Sequence, residues 1–350
     1  MTSTFNLAQR HLALGVLAVA ALTAGLATVR AEADRTLVLG GGSTFAAPLF
    51  QAWIDTFEAQ NPAIDVEYDV IGSGEGISRF LTGSLDFAAT DAPLTAEQEA
   101  GVEGGVTHVP VTAGMIAVAY HLPDDLEGAL RLPRDVYGDI FAGRLTDWND
   151  PRIAAANPHL DLPKRSIVVV GRLDGSGTTF AFTNHLDAVS AGWRASGAGV
   201  GTRADWPGSA MLARGNEGVA ANILRGYGTI GYVEYGFASR LGLPLALLEN
   251  AAGEFVAPAA ASGAAAIAAA PLPEDLKIEL PDPEGEGAYP IVTFTWSLLR
   301  GADTGTPTGE AVRTFTGWAV GEGQGAAPDL GYVPLPAAVQ ERARLALAKD

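Results

Sequence analysis

The sequence predicts an α/β protein of about two domains, and three observations carry that reading. The chain has 350 residues, enough for two domains at roughly 100–200 residues each. Short apolar strand segments run repeatedly into glycine-rich turns and then into helices, the rhythm of an α/β fold. Hydrophobic residues make up 48% and charged residues only 18%, so a packed core, not a disordered acidic chain, is expected.

The elements follow in order. Thr36-Leu37-Val38-Leu39 is a short strand running into Gly40-Gly41-Gly42-Ser43-Thr44-Phe45. Leu49, Phe50, Trp53, Ile54 and Phe57 recur at helical spacing, and Asn61-Pro62 ends that helix. Ile64, Val66, Tyr68 and Val70 alternate as a strand. Gly72-Ser73-Gly74-Glu75-Gly76 turns into a helix carrying Ile77, Phe80 and Leu81, and Leu85–Ala89 is a strand ending at Thr90-Asp91. Thr95-Ala96-Glu97-Gln98 reads as a capping box. Val106–Leu122 reads as strands, 133–142 and 151–157 as helices, and Ser166–Val170 as a buried strand. Gly171-Arg172-Leu173-Asp174-Gly175-Ser176-Gly177-Thr178 then leads into a helix reaching about Ala188. Residues 190–216 read as loop, 217–225 as helix and Thr229–Glu234 as strand. The alanine-rich 257–270 reads as a surface helix and 271–288 as a loop. A strand at Tyr289–Leu299 and helices at 309–320 and 335–348 close the chain.

The first thirty residues stand apart. Arg10 precedes an apolar run from Leu12 to Thr28, followed by Val29-Arg30-Ala31 and then Glu32-Ala33. A basic region, an apolar stretch and a small-x-small site predict a signal peptide, residues 1–31, cleaved after Ala31 or Ala33. With no cysteine in the chain there is no lipid attachment point, and export to a periplasm is expected. Loss of Arg10 and Arg30 takes the formal charge from −18 to −20.

Composition excludes several function classes. Forty acidic against 22 basic residues leave no basic footprint for nucleic acid. The absence of cysteine rules out disulfides, zinc–thiolate sites, iron–sulfur clusters and a cysteine nucleophile. The three lysines, Lys164, Lys277 and Lys349, do not follow glycine, so there is no Walker A loop. The five histidines show no metal-ligand spacing, and no GxSxG nucleophile elbow occurs. No cofactor, metal or catalytic residue is expected.

What remains is anion chemistry. Three strand-to-helix turns carry small residues with Ser or Thr: Gly42-Ser43-Thr44-Phe45, Gly72-Ser73-Gly74 and Gly175-Ser176-Gly177-Thr178. Helix N-termini present free N–H groups and the positive end of the dipole, and hydroxyls add donors. Converged, three such turns make an oxyanion pocket; singly, each is an ordinary N-cap. Arg172, four residues before Ser176, fits a bidentate oxyanion contact or a surface ion pair. Asp91 fits a turn cap.

The strings GGGSTFAAPLFQAW, VIGSGEGISRFLTGSLDFAATDAPLT, GRLDGSGTTFAFT, RGNEGVA and GTIGYVEYGFA together give the chain a specific resemblance. It resembles the periplasmic phosphate-binding proteins of high-affinity phosphate ABC transporters, well from residue 36 to about 240 and more loosely beyond. The resemblance implies a two-lobed type II periplasmic-binding-protein fold. Each lobe would be a mixed sheet flanked by helices, with phosphate held in the cleft between them. It implies residues 32–112 plus 288–350 as lobe one and 113–287 as lobe two, with closure about a hinge. It implies ligand contacts from Thr44, Phe45, Ser73 and Asp91 in the first lobe and from Arg172, Ser176, Gly177 and Thr178 in the second. It also implies a monomer that delivers phosphate to permease subunits and is not an enzyme. Alternative readings are a secreted phosphatase on this fold or a binder of another tetrahedral oxyanion.

Three positions depart from the family pattern: Ala46 stands where proline is common, Gly74 where a second serine is common, and Glu75 where small residues are usual. A Glu75 carboxylate facing the ligand would weaken anion binding. Asp91 carries the selectivity argument. A carboxylate beside a bound anion repels it unless the anion has a proton to donate, which phosphate has and sulfate at neutral pH lacks.

Overall fold

The computed structural model describes residues 35–123, 128–268 and 270–348. The expected signal peptide lies outside the described residues. No described helix is long and apolar enough to cross a membrane.

The amino-terminal elements are β1 (Thr36–Gly42), α1 (Ala47–Gln60), β2 (Ile64–Val70), α2 (Ser73–Leu81), β3 (Phe87–Thr90), α3 (Ala96–Ala100) and β4 (Val106–Tyr120). The helical spacing read in α1 is its buried face: Leu49, Phe50, Trp53, Ile54 and Phe57 all point into the core, and Asn61 ends the helix. Phe50 stacks on Tyr68 of β2 with ring centroids 4.6 Å apart. The Thr95–Gln98 capping box forms at the start of α3. Of Val106–Leu122, read as strands, Val106–Tyr120 is one 15-residue strand.

The middle of the chain supplies β5 (Arg131–Leu132), α4 (Arg134–Phe141), α5 (Pro151–Ala156), β6 (Val168–Arg172), α6 (Gly177–Val189), α7 (Ala191–Ser196), β7 (Met211–Ala213), α8 (Gly215–Arg225) and β8 (Thr229–Glu234). Next come α9 (Tyr235–Arg240), β9 (Leu247–Glu249), β10 (Phe255–Val256), α10 (Ala260–Ala268), β11 (Val292–Arg300), α11 (Pro307–Val320) and α12 (Ala337–Ala348).

Eight strands form one mixed sheet in the order β2-β1-β3-β11-β4-β8-β6-β7, and β10-β9-β5 form a small second sheet. The long strand β4 joins the two halves. Its residues Val106–Met115 pair antiparallel with β11, and Ile116–Tyr120 pair antiparallel with β8. On one side β1 runs parallel to β2 and β3; on the other β6 runs parallel to β8 and β7. This is the two-lobed type II architecture: two α/β halves joined where β4 passes from one to the other and β11 returns. The β4–β11 register shifts between Thr295 and Trp296, opposite Pro110, which has no N–H to give the ladder.

Three stretches differ from expectation. Residues 190–216 are not all loop: α7 and β7 form there. Ser190 caps α7 by accepting the Trp193 N–H at 3.0 Å, and this places Trp193 in the core. The alanine-rich helix α10 is not a free surface helix, since Ser262, Gly263, Ala266 and Ile267 are buried. Segment 271–288 has no regular element but is firmly tied. Its base is closed by Tyr289 N–H donating to Ser262 O at 3.0 Å. Farther out, Lys277 Nζ pairs with Glu99 Oε1 at 2.8 Å and Trp296 Nε1 donates to Leu276 O at 2.8 Å, both on the first half. Arg134 pairs with Asp282 at 2.5 Å and His185 Nδ1 bonds Pro281 O at 2.7 Å, both on the second half. The segment thus straps the halves together.

Candidate functional site

All three glycine-rich turns meet where the two halves face each other. On the first half, the turn after β1 carries Ser43, Thr44 and Phe45, the start of α2 carries Ser73, and the end of β3 carries Asp91; all five are buried. On the second half, β6 ends at Arg172 and α6 begins at Gly177, with Ser176 as its N-cap. Arg172, Ser176 and Thr178 are buried as well.

Contact between the halves is direct. Gly74 N–H donates to Gly175 O at 3.0 Å across the cleft. A β-carbon on Gly74 would lie 2.9 Å from Gly175 Cα, so the glycine found where serine is common permits this backbone approach. Glu75 lines a cavity of about 920 Å³ that also reaches Thr44, Asp174 and Asn216, and its carboxylate takes an ion pair from Arg79 Nε at 2.9 Å.

The inner site is rich in donors. The backbone N–H groups of Thr44, Phe45, Ser73, Gly177 and Thr178 have no acceptor among the described residues. For the last three this follows from their place at helix N-termini, where the dipole adds positive potential. Arg172 is not a surface ion pair. It is 4% exposed and gripped side-on by Asp174, Nε to Oδ1 at 2.8 Å and Nη2 to Oδ2 at 2.5 Å. That grip fixes the guanidinium plane and leaves Nη1 buried without a partner among the described residues. Burial raises the Asp174 carboxyl, but the Arg172 hydrogen bonds and charge outweigh it and hold it below the usual range.

Asp91 brings a second carboxylate to these donors, beside the Asp174 that holds Arg172. Ser43 Oγ reaches its two oxygens at 2.7 and 2.9 Å, and Thr295 Oγ1 donates to Oδ1 at 2.7 Å. Ser73 Oγ lies 3.4 Å from Oδ2 and accepts the Asp91 N–H at 3.2 Å. Burial pushes the Asp91 carboxyl up to about 6, against the lowering pull of the Thr295 and Ser43 hydroxyls and the Arg172 charge.

Sequence reasoning missed four contributors. Ser43 was visible only as a turn residue and Asp174 only as part of a glycine-rich string. Thr295 sits in a strand with no motif around it; the register shift beside it is a tertiary feature. Asn216, at the start of α8, is 1% exposed; its Nδ2 donates to Thr44 Oγ1 and to Thr178 Oγ1, each at 3.1 Å. Its only sequence signal was its place inside RGNEGVA. Among the described residues, no group of three or more His, Asp or Glu side chains could hold a metal ion.

A sequence profile described as the PBP superfamily domain matches residues 24–322. The chain is 37% identical over 307 residues to the phosphate-binding protein PstS of Pasteurella multocida, covering 87% of this chain and 88% of that protein. Its fold is similar to a high-affinity periplasmic phosphate-binding protein (PfluDING) solved with phosphate at pH 8.5: TM-score 0.72 at 24% identity, covering 89% and 93% of the two chains. It is also similar to an ABC-type phosphate transport receptor from Vibrio cholerae: TM-score 0.57 at 17% identity, covering 86% and 100%.

Proposed function

We propose that this chain, which belongs to the PstS family of phosphate-binding proteins, captures inorganic phosphate between its lobes outside the cytoplasm and delivers it to the permease of an ABC transporter. The observation that carries this is the buried, unpartnered Arg172 Nη1, brought together with unpaired backbone N–H groups and the Asp91 carboxylate. A donor-lined pocket suits an oxyanion, and one acceptor suits an oxyanion that still bears a proton.

In this reading lobe one is residues 32–112 with 288–350 and lobe two is 113–287, divided near the β4 pairing change at Met115–Ile116. Thr44, Phe45 and Ser73 supply N–H groups from the first lobe. Arg172, Ser176, Gly177 and Thr178 supply guanidinium, hydroxyl and N–H groups from the second. Asp91 accepts the phosphate proton. The overall charge of −18 opposes this little, because the Debye length is about 8 Å at physiological salt and each hydrogen bond to a charged group contributes about 1.5–3 kcal/mol. Because donors come from both lobes, the ligand stabilises the closed form.

Equilibrium dialysis of residues 32–350 against radiolabelled phosphate tests the reading. One phosphate retained per chain, lost in Arg172→Ala, supports it; no retention by a folded chain rejects it. Small-angle scattering with and without phosphate tests closure, which predicts a smaller radius of gyration with ligand.

A further inference from the structure

The amide of Asn216 has a fixed direction. The backbone N–H of Glu234 donates to Asn216 Oδ1 at 2.9 Å, and an N–H can only donate. The oxygen is therefore held toward β8, and the NH₂ group is turned into the cleft. There it donates to Thr44 Oγ1 of one half and Thr178 Oγ1 of the other, each at 3.1 Å.

Each threonine oxygen thus accepts from Asn216, so neither hydroxyl can point its own proton back at the amide. Neither hydroxyl donates to an acceptor among the described residues. Both threonines are buried, at 7% and 1% exposure, and Thr44 also lines the cavity beside Glu75. We infer that Asn216 is a positioning residue. It polarises two threonine hydroxyls, one from each lobe, so that both present their protons to the bound anion. The order is a relay: Glu234 N–H to the Asn216 amide, the amide to two hydroxyls, the hydroxyls to the oxyanion. Hydrogen bonds in such a chain strengthen one another in a low-dielectric setting. The same amide joins the lobes, so it helps hold them closed while setting the polarity of the pocket.

The inference rests on the phosphate-binding reading, and a double-mutant cycle keeps the two separable. Calorimetric phosphate affinity is measured for the mature chain, Asn216→Ala, Thr44→Val with Thr178→Val, and the triple variant. A role through the hydroxyls predicts a roughly 10- to 100-fold loss in Asn216→Ala, the span of one charge-assisted hydrogen bond. It predicts about threefold or less for the same change once both hydroxyls are gone. Equal losses in both backgrounds overturn the inference, because Asn216 would then act by a route that does not pass through the threonine oxygens. Failure of the wild-type chain to bind phosphate overturns the functional reading instead.

A second readout separates polarity from mere bridging. In Asn216→Asp the side chain keeps its shape, but its oxygens accept from the threonines and draw their protons away from the ligand. Lobe separation in the phosphate-free protein, read between two spin labels on cysteines introduced into this cysteine-free chain, should match wild type while phosphate affinity falls. Asn216→Asp binding phosphate as tightly as wild type contradicts the inference.

Discussion

Gly177 packs against Asp91 across the cleft so closely that a β-carbon at Gly177 would lie 2.7 Å from Asp91 Oδ2 and 2.5 Å from Ser73 Oγ. The first residue of helix α6 in one half therefore lies against the Asp91 carboxylate of the other. No side chain fits there while the lobes are closed.

Gly177→Ala should hold the cleft open. Overpacking costs about 1–3 kcal/mol, so phosphate affinity should fall roughly 5- to 150-fold, mainly through faster release. Stopped-flow dissociation rates measure this. An unchanged rate would mean that closure does not bring these residues together.

Asp91→Asn removes the acceptor for the phosphate proton and adds a donor. The sulfate-to-phosphate affinity ratio should rise at least tenfold, read by competition calorimetry at neutral pH. An unchanged ratio would remove Asp91 from selectivity.

The raised Asp91 value gives this selectivity a pH dependence. Above about 6 the ligand-free carboxylate is ionised and repels proton-free anions; below it the carboxyl is protonated and can donate to them. Sulfate binding should therefore strengthen as pH falls through 6 in the wild type and stay flat in Asp91→Asn. Parallel profiles in the two proteins would contradict the assignment.

The 276–282 strap makes a separate prediction. Lys277–Glu99 and Arg134–Asp282 are partly exposed ion pairs, each worth about 0–1 kcal/mol. Lys277→Met combined with Asp282→Asn should speed phosphate release about two- to tenfold and leave association almost unchanged. Equal release rates would show that the strap does not bear on closure.

His108 bears on acid stability. Burial lowers it to about 4 despite the Glu99 carboxylate nearby, and its Nε2 accepts the Leu94 N–H at 3.2 Å. A depressed folded value means that the unfolded chain takes up the proton first. His108 therefore contributes stability above pH 6.5 that is lost as pH falls from 6.5 toward 4. Across that window the thermal midpoint of the wild type should fall relative to that of His108→Gln. An identical slope would place the acid sensitivity elsewhere.

Much of this was legible in the sequence because periodicity and turn chemistry are local. The buried stripe of α1, the Thr95 capping box and the stop at Asn61-Pro62 are each set by neighbours within a few residues. The site turns were legible as glycine with Ser or Thr at helix starts. What stayed hidden depends on distant partners. Ser190 caps α7 inside a segment of loop-like composition. Gly263 is buried in α10 because Val333 and Met115 lie beside it. Thr295 meets Asp91 across more than two hundred residues of chain. Asn216 takes its orientation from Glu234 and its role from threonines on opposite lobes, and no local pattern encodes that.

A donor-lined pocket with one proton-accepting carboxylate should select phosphate over proton-free anions. The most direct test is paired calorimetric titration of residues 32–350, stripped of bound anion, with phosphate and with sulfate at neutral pH. Tight one-to-one binding of phosphate and none of sulfate is the expected result. Equal binding of both anions, or binding of neither by a chain that circular dichroism shows to be folded, would contradict it.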